Sequence, residues 1–330
     1  LGIPVGITAG AIICGAYFGD KQSPVSDSTN FAAAVAKTDL YAHTRSMIYS
    51  TAPSFVISLI IFTIIGARYH IASIDESQLL QITSGIQQVF KLTPILLIPL
   101  VVMTVMIIKK MPAIPTMLIA IGIAILEMFI FQHQSFSEIL SYMYSGFISN
   151  TGNAAVDRLL TRGGLTSMTS TVALMFMSLM MAGLMQSTNI MDSVLNKLEK
   201  ATSSQFGLIA TTLISCILLS YFAADPYLAM LIPANVLGKK FDDLGLDRSV
   251  LSRTLEDGAT IICPMVPWGT NGIYCASTLG ISVLAYLPYY FMGFLTPLFS
   301  LLLAFTGIGI KKKKKEKENA WFKKWTFKYK

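Results

Sequence analysis

The spacing of charges limits what this chain can fold into more than any other feature. No Asp, Glu, Lys or Arg lies between Arg45 and Arg68, Lys91 and Lys109, Lys110 and Glu127, Arg162 and Asp192, or Lys200 and Asp225. The uncharged interval from Asp257 to Lys311 is long enough for two crossings. A bilayer crossing takes roughly 20 mainly apolar residues as a helix, and in hydrocarbon the backbone must satisfy its own hydrogen bonds. With 53% hydrophobic and 13% charged residues, the chain has too little polar surface for a soluble domain, where about 25% of residues are charged. The expected fold is an all-α polytopic membrane protein.

Apolar stretches at 47–67, 92–108, 116–131, 167–186, 203–223 and 281–305 read as spans. Residues 1–18 read as a helix that opens inside an apolar run. That start reads as a fragment or as a product lacking upstream helices, and a signal peptide is not expected, because no basic segment or cleavage site is present. Residues 71–91 form a polar connection, 132–166 a polar linker with a weak amphipathic helix at 136–148, and 191–200 an interfacial amphipathic helix. Of the formal net charge of +7, the tail 311–330 supplies +8 from ten Lys and two Glu, leaving about −1 elsewhere. Lys mixed with Trp321, Phe322, Trp325, Phe327 and Tyr329 directly after a span reads as a cytoplasmic tail on anionic lipid headgroups. Nucleic-acid binding is not expected, and pairing into a homodimer is left open.

Two segments echo each other. Residues 10–38 read GAIICGAYFGDKQSPVSDSTNFAAAVAKT and residues 258–278 read GATIICPMVPWGTNGIYCAST. Each has an apolar stem, a Pro-containing break, Thr-Asn and then small residues. Paired interruptions at matching places in two halves point to the substrate site of a secondary transporter. The Lys311 tail and Lys109–Lys110 are assigned to the cytoplasm by the positive-inside rule. Spans 92–108 and 281–305 then run inward and 47–67 runs outward. The equivalent helices run oppositely, which predicts an inverted repeat with paired broken helices. The expected division is a first repeat at 1–131 holding the broken helix 10–38, the linker 132–166, a second repeat at 167–310 with broken segments 203–237 and 254–279, and the tail 311–330.

The first break is expected at 19–30, followed by a short half-helix at 31–36. It concentrates Asp20, Lys21, Ser23, Ser26, Asp27, Ser28, Thr29 and Asn30 between apolar stretches. Ionisable groups there are expensive unless they line a hydrated cavity, and their oxygens suit a hard cation such as Na+. An aqueous turn is the competing reading, and the second copy argues against it. The expected helix 254–263 leads into the second break, which offers Thr270 and Asn271 before a half-helix at 272–279. Asp257 abuts its stem beside Glu256. Asp225 precedes Pro226 and suits a helix N-cap as well as an ion site. His43, His70 and His133 flank spans and read as interfacial. Met175, Met177, Met180 and Met181 read as packing or lipid-facing. Cys14, Cys216, Cys263 and Cys275 lack metal-ligand spacing and read as small buried hydrophobes. No Ser/His, paired-Asp or HExxH constellation of an intramembrane hydrolase is visible, so no enzyme is expected.

On GAIICGAYFGDKQSPVSDSTNFAAAVAKTDLYAHTRSMIYSTAP, LLTRGGLTSMTSTVALMFMSLMMAGLM and DGATIICPMVPWGTNGIYCASTLGIS, the chain resembles the NhaC-type sodium/proton antiporter family. The matches run in order from Gly10 to about Gly307. Members of that family begin with several more helices. The resemblance implies Na+/H+ exchange across the cytoplasmic membrane, with no cofactor beyond the transported Na+ and H+. A malate/lactate-type relative is the alternative; it would want a fixed cation by the site, for which Lys21 is the candidate. Asp20, Ser23, Asp27, Thr29, Asn30, Thr270 and Asn271 fall on the family's motifs. Asp27, Asn30 and Asn271 are the expected Na+ ligands. A carboxylate taken out of water can hold either a proton or Na+ near neutral pH, and each ligand then disfavours the other.

Overall fold

The computed structural model describes residues 2–313 apart from 24–25, 70–75, 110, 112, 154–155, 158–159, 162 and 189–201. The expected helix at 191–200, His70, Lys110 and the tail beyond Lys313 lie outside the described residues. The helices are α1 (Val5–Gln22), α2 (Asp27–Ala36), α3 (Leu40–Arg68), α4 (Glu76–Val89), α5 (Ile98–Ile108), α6 (Ala113–Ile130) and α7 (Phe136–Ser145). They continue as α8 (Thr169–Ser187), α9 (Gln205–Ala223), α10 (Pro226–Asp243), α11 (Arg248–Gly258), α12 (Thr270–Leu279), α13 (Val283–Tyr286) and α14 (Phe291–Thr306). No strand occurs among the described residues.

Among those residues, α3 and α9 are each long and apolar enough to cross a membrane. Two bent pairs also qualify if each counts as one span: Ile82–Val89 with Pro94–Ile108, at 93°, and Thr270–Leu279 with Val283–Tyr289, at 83°. α3 is amphipathic in the sense opposite to a soluble helix. It buries His43, Ser46, Ser50, Ser54 and Ser58 and exposes Ile48, Val56, Leu59, Ile60 and Ile64. Small polar residues let neighbouring helices approach closely, while the apolar side suits lipid. The Ser54 and Ser58 hydroxyls donate to the carbonyls of Ser50 and Ser54, at 2.6 and 2.7 Å, which satisfies them inside the helix.

Three expected boundaries are corrected. The stretch 281–305 is not one helix. Gly280 at φ +68° ends α12, a 3-10 turn at Leu287–Tyr289 follows α13, and α14 starts at Phe291. Leu287 is still helical at φ −48°, ψ −47°, Pro288 after it supplies no N–H, and the chain leaves helical geometry at Tyr290, at φ −81°, ψ 65°, a break that hydropathy does not register. The first break is shorter than 19–30: Asp20 and Lys21 complete α1, and Asp27 through Asn30 open α2. Ser23, before Pro24, is extended at φ −86°, ψ 121°, as a residue preceding proline prefers. The helix expected at 254–263 ends at Gly258, and a 3-10 turn at Cys263–Met265 carries Pro264.

α11 is the centre of the bundle. It packs against α2, α3, α9, α10 and α14, and every residue from Ser249 to Gly258 is buried. Leu208, Cys216 and Leu219 of α9, Phe241 of α10, and Val250, Leu251 and Leu255 of α11 form one apolar cluster with Ala32 and Ala36 of α2. The two echo stems share a second cluster, in which Ile13 and Cys14 meet Ile261, Ile262 and Met265. Each stem begins at a glycine where backbones nearly touch. A Cβ on Gly10 would lie 2.6 Å from the Tyr289 carbonyl oxygen, and one on Gly258 would lie 2.8 Å from that of Leu213.

Candidate functional site

Four helix ends meet at one cavity. Asp20 sits in the last turn of α1, Asp27 is the first residue of α2, Asp225 is the N-cap of α10, and Thr270 and Asn271 open α12. All five line a cavity of about 650 Å³, with Tyr17, Tyr227 and Met175 completing part of its wall. The local sequence explains the convergence. α1 ends with Ser23 as its C-cap, which is extended, and α2 restarts on an acidic residue after Ser26. Ala224 in the left-handed region, at φ 56°, turns the chain between α9 and α10. Asp225 then caps α10, accepting from the Leu228 N–H at 2.9 Å, with Pro226 at the first helical position. Asp27 and Asp225 each sit at a helix N-terminus, which carries partial positive charge.

Hydrogen bonds fix the walls. Tyr227 donates to Asp27 Oδ2 at 2.5 Å, and the Ser28 N–H donates to Asp27 Oδ1 at 2.9 Å. The Asn271 amide donates to Tyr17 Oη at 2.8 Å, leaving its carbonyl oxygen 3.1 Å from the Thr270 hydroxyl. The Thr270 N–H reaches the Ala224 carbonyl at 3.0 Å, tying the second break to the α9–α10 turn. Three carboxylates and no Lys, Arg or His line this cavity among the described residues. Asp20 and Asp27 also line a second cavity of about 1000 Å³, toward α5 and α6, where Ser23 and Ser26 join them.

Three expected site residues lie elsewhere. Asn30 is exposed, its amide bonded to the Ser26 carbonyl at 2.7 Å, and it lines neither cavity. Of the expected Na+ ligands, Asp27 and Asn271 therefore share a cavity and Asn30 does not. Thr29 is fully buried, 3.4 Å from the Asp20 and Lys21 carbonyls and from Glu256 Oε1. Asp257 is fully buried in an ion pair with Lys21 Nζ, and the Ser50 hydroxyl donates to the same oxygen at 3.0 Å. This pairing removes Lys21 from the role of a free cation beside the cavity. The bonds from Ser28, Thr29 and Lys21 to Glu256 and Asp257 tie the first echo segment to the helix end that leads into the second.

Sequence reading missed part of the interior. His43 is not interfacial. It is fully buried, with Nε2 3.0 Å from Glu256 Oε2 and Nδ1 2.8 Å from Ser252 Oγ. Arg253 is fully buried and reaches the Ser46 and Gly309 carbonyls at 3.4 and 3.2 Å. A readable signal existed: His43, Met47, Ser50, Ser54 and Ser58 recur at three- and four-residue spacing in an apolar run, which marks one helix face. Among the described residues no group of three or more His, Cys, Asp and Glu side chains is placed to hold a metal ion.

The Na+/H+ antiporter family profile matches residues 15–308. The chain is 35% identical over 313 residues to the Na(+)/H(+) antiporter NhaC of Alkalihalophilus pseudofirmus, covering 94% of this chain and 67% of that protein. It is 34% identical over 307 residues to the malate-2H(+)/Na(+)-lactate antiporter of Bacillus subtilis, covering 93% and 66%. It is 36% identical over 313 residues to the arginine/ornithine antiporter ArcD of Halobacterium salinarum, covering 93% and 64%. The chain thus spans about two thirds of the length of these relatives. No solved structure matches it. With the match extending across both breaks and every residue of the cavity, the chain belongs to the Na+/H+ antiporter family.

Proposed function

We propose that the three-carboxylate cavity is where this Na+/H+ antiporter takes up Na+ in competition with protons. The observation that carries the reading is the convergence of Asp20, Asp27, Asp225, Thr270 and Asn271 on one cavity without a cationic side chain among the described residues. Asp27 and Asn271 supply hard oxygen ligands for Na+, Asp225 adds negative charge, and Asp20 takes the proton. A proton on Asp20 weakens the field that holds Na+, and bound Na+ favours the ionised form, so each expels the other. The repeats at 1–131 and 167–310, related by inversion, supply the two sides of an alternating-access movement. The basic tail lies on the cytoplasmic face.

Carriage of an organic anion calls for a cation at the site, and Lys21 is engaged with Asp257. The test is transport by the full-length protein in vesicles, read with a pH-sensitive dye and with Na+, Li+ and K+ in turn. Malate, lactate, arginine and ornithine are added separately. Na+-driven proton movement without an organic substrate supports the reading. Movement that requires an organic substrate refutes it in favour of the coupled alternative.

A further inference from the structure

Ser28 faces two carboxylates on opposite sides. Its Oγ is 3.1 Å from Asp20 Oδ2, on the cavity wall, and 3.2 Å from Glu256 Oε1, inside the bundle. A serine hydroxyl has one proton to donate and two lone pairs that accept. Ser26 Oγ also lies 3.0 Å from Ser28 Oγ, and Thr29 Oγ1 stands 3.4 Å from Glu256 Oε1. Ser28 can donate to one carboxylate at a time, and a proton held on the other can be donated to its lone pairs. We propose that Ser28 relays the exchanged proton between Asp20 and Glu256, an inference that rests on the Na+/H+ reading above.

The step balances. With Asp20 neutral and Glu256 ionised, the Asp20 Oδ2–H bond breaks as a new O–H bond forms at Ser28 Oγ. The original Ser28 O–H breaks as the Glu256 Oε1–H bond forms. Serine ends neutral, and the negative charge has moved from Glu256 to Asp20. The reverse step returns the proton to the cavity, where it leaves through water as Na+ enters. The pair thus carries one shared proton when Na+ is absent and none when Na+ is bound.

The surroundings suit Glu256 to both states. On the Oε2 side His43 can donate from Nε2 to the carboxylate or accept from the acid, and Ser252 at Nδ1 accommodates either tautomer. The other charged groups near Glu256 are held. From α1, Lys21 is paired with Asp257; from α2, Asp27 is bonded to Tyr227; from α11, Arg253 is bonded to backbone carbonyls. α10 brings Asp225 at its N-cap and its remaining charges at its far end, and neither α9 nor α14 contains a charged residue. Glu256 itself lines neither cavity, so its route to the Na+ site runs through Ser28.

The experiment uses the full-length protein in vesicles and reads two fluxes in parallel: Na+-driven proton movement and radioactive Na+/Na+ counterflow. Removing a positioned acid–base group from a proton transfer costs about a hundredfold or more. The ratio of proton flux to counterflow should fall by that factor in Ser28→Ala and in Glu256→Gln, and Ser28→Thr, which keeps the hydroxyl, should restore it. A Ser28→Ala ratio equal to wild type overturns the relay. So does a loss of both fluxes together at an unchanged ratio, which marks a purely structural serine. Wild-type protein that shows counterflow without Na+-driven proton movement refutes the exchange reading itself, a result distinct from either.

Discussion

Replacing Lys21 with Met is the sharpest test of how the two broken segments are held. Lys21 and Asp257 are both 0% exposed, and they join positions 236 residues apart. In Lys21→Met, Asp257 keeps the Ser50 hydroxyl on Oδ1 and has no partner on Oδ2. Removing one partner of a buried pair leaves an uncompensated charge and costs about 3–5 kcal/mol. That corresponds to roughly a hundred- to several-thousandfold in the unfolding equilibrium. The double variant Lys21→Met with Asp257→Leu removes both charges together. Apolar replacement of a whole buried pair is often neutral or stabilising, so the double variant should recover most of the loss. The measurement is a titration from mild detergent into SDS, followed by Trp fluorescence, on wild type, both single variants and the double. A single-variant cost below about 1 kcal/mol, the range of a solvated surface pair, would refute the claim that this pair is a dry tertiary clasp.

Asp27→Asn should leave the fold intact, because the side chain is exposed to the cavity and an amide oxygen can still accept from Tyr227. Loss of a charged ligand costs about 1.5–3 kcal/mol, so half-saturating Na+ in the vesicle assay should rise about tenfold to a hundredfold; an unchanged value excludes Asp27 as a ligand. Gly258→Ala should destabilise by about 1–3 kcal/mol through overpacking, because its Cβ would lie 2.7 Å from Cys216 Cβ. Gly15→Ala, with nothing within 4 Å, serves as the tolerant control in the same thermal melt. At the loop end of α10, Arg248 donates to Asp242 at 2.5 and 3.2 Å, and this bonding holds the Asp242 carboxyl below its usual range. A lowered folded-state value means stability present above the unfolded carboxylate's pKa and lost as pH falls through the folded one. Wild type should therefore exceed Arg248→Ala by up to about 1 kcal/mol at neutral pH, with the gap closing below about pH 4. An epitope placed after Lys330 should resist labelling from outside intact cells; labelling overturns the assigned orientation.

The class of fold was legible because charge spacing reports directly on transfer into hydrocarbon, and α3 and α9 fall where the uncharged intervals at 47–67 and 203–223 lie. The cavity was legible through the echo, since proline and clustered oxygens in an apolar chain demand enclosed polar space. Helix ends were less so. Asp20 and Lys21 look like loop residues beside SPVSDS, yet helical hydrogen bonding carries α1 through Gln22. Partners were least legible of all. His43 and Glu256 are 213 positions apart, and no local pattern says which buried acid a buried imidazole will meet. Tyr227 on Asp27 and Tyr17 on Asn271 are the same case: each hydroxyl meets a side chain about two hundred or more positions away, which no local pattern announces.

The burial of α11 also bears on how the protein is made. Arg253, Glu256 and Asp257 lie within a single helix of 11 residues. Each charged residue at the centre of a membrane-inserted helix costs about 2.5–3.5 kcal/mol at the translocon. Three of them amount to roughly 8–10 kcal/mol on the same scale, more than so short a segment can offset by itself. Lys21, His43 and Ser50 are synthesised some two hundred residues before their partners in α11, so the groups that pair with its charges precede it in the nascent chain. Arg253 still waits for Gly309, which follows it by 56 positions. The contacts of α11 thus favour an order in which α1 and α3 offer a polar slot before α11 enters it, with the segment after α14 reaching Arg253 afterwards.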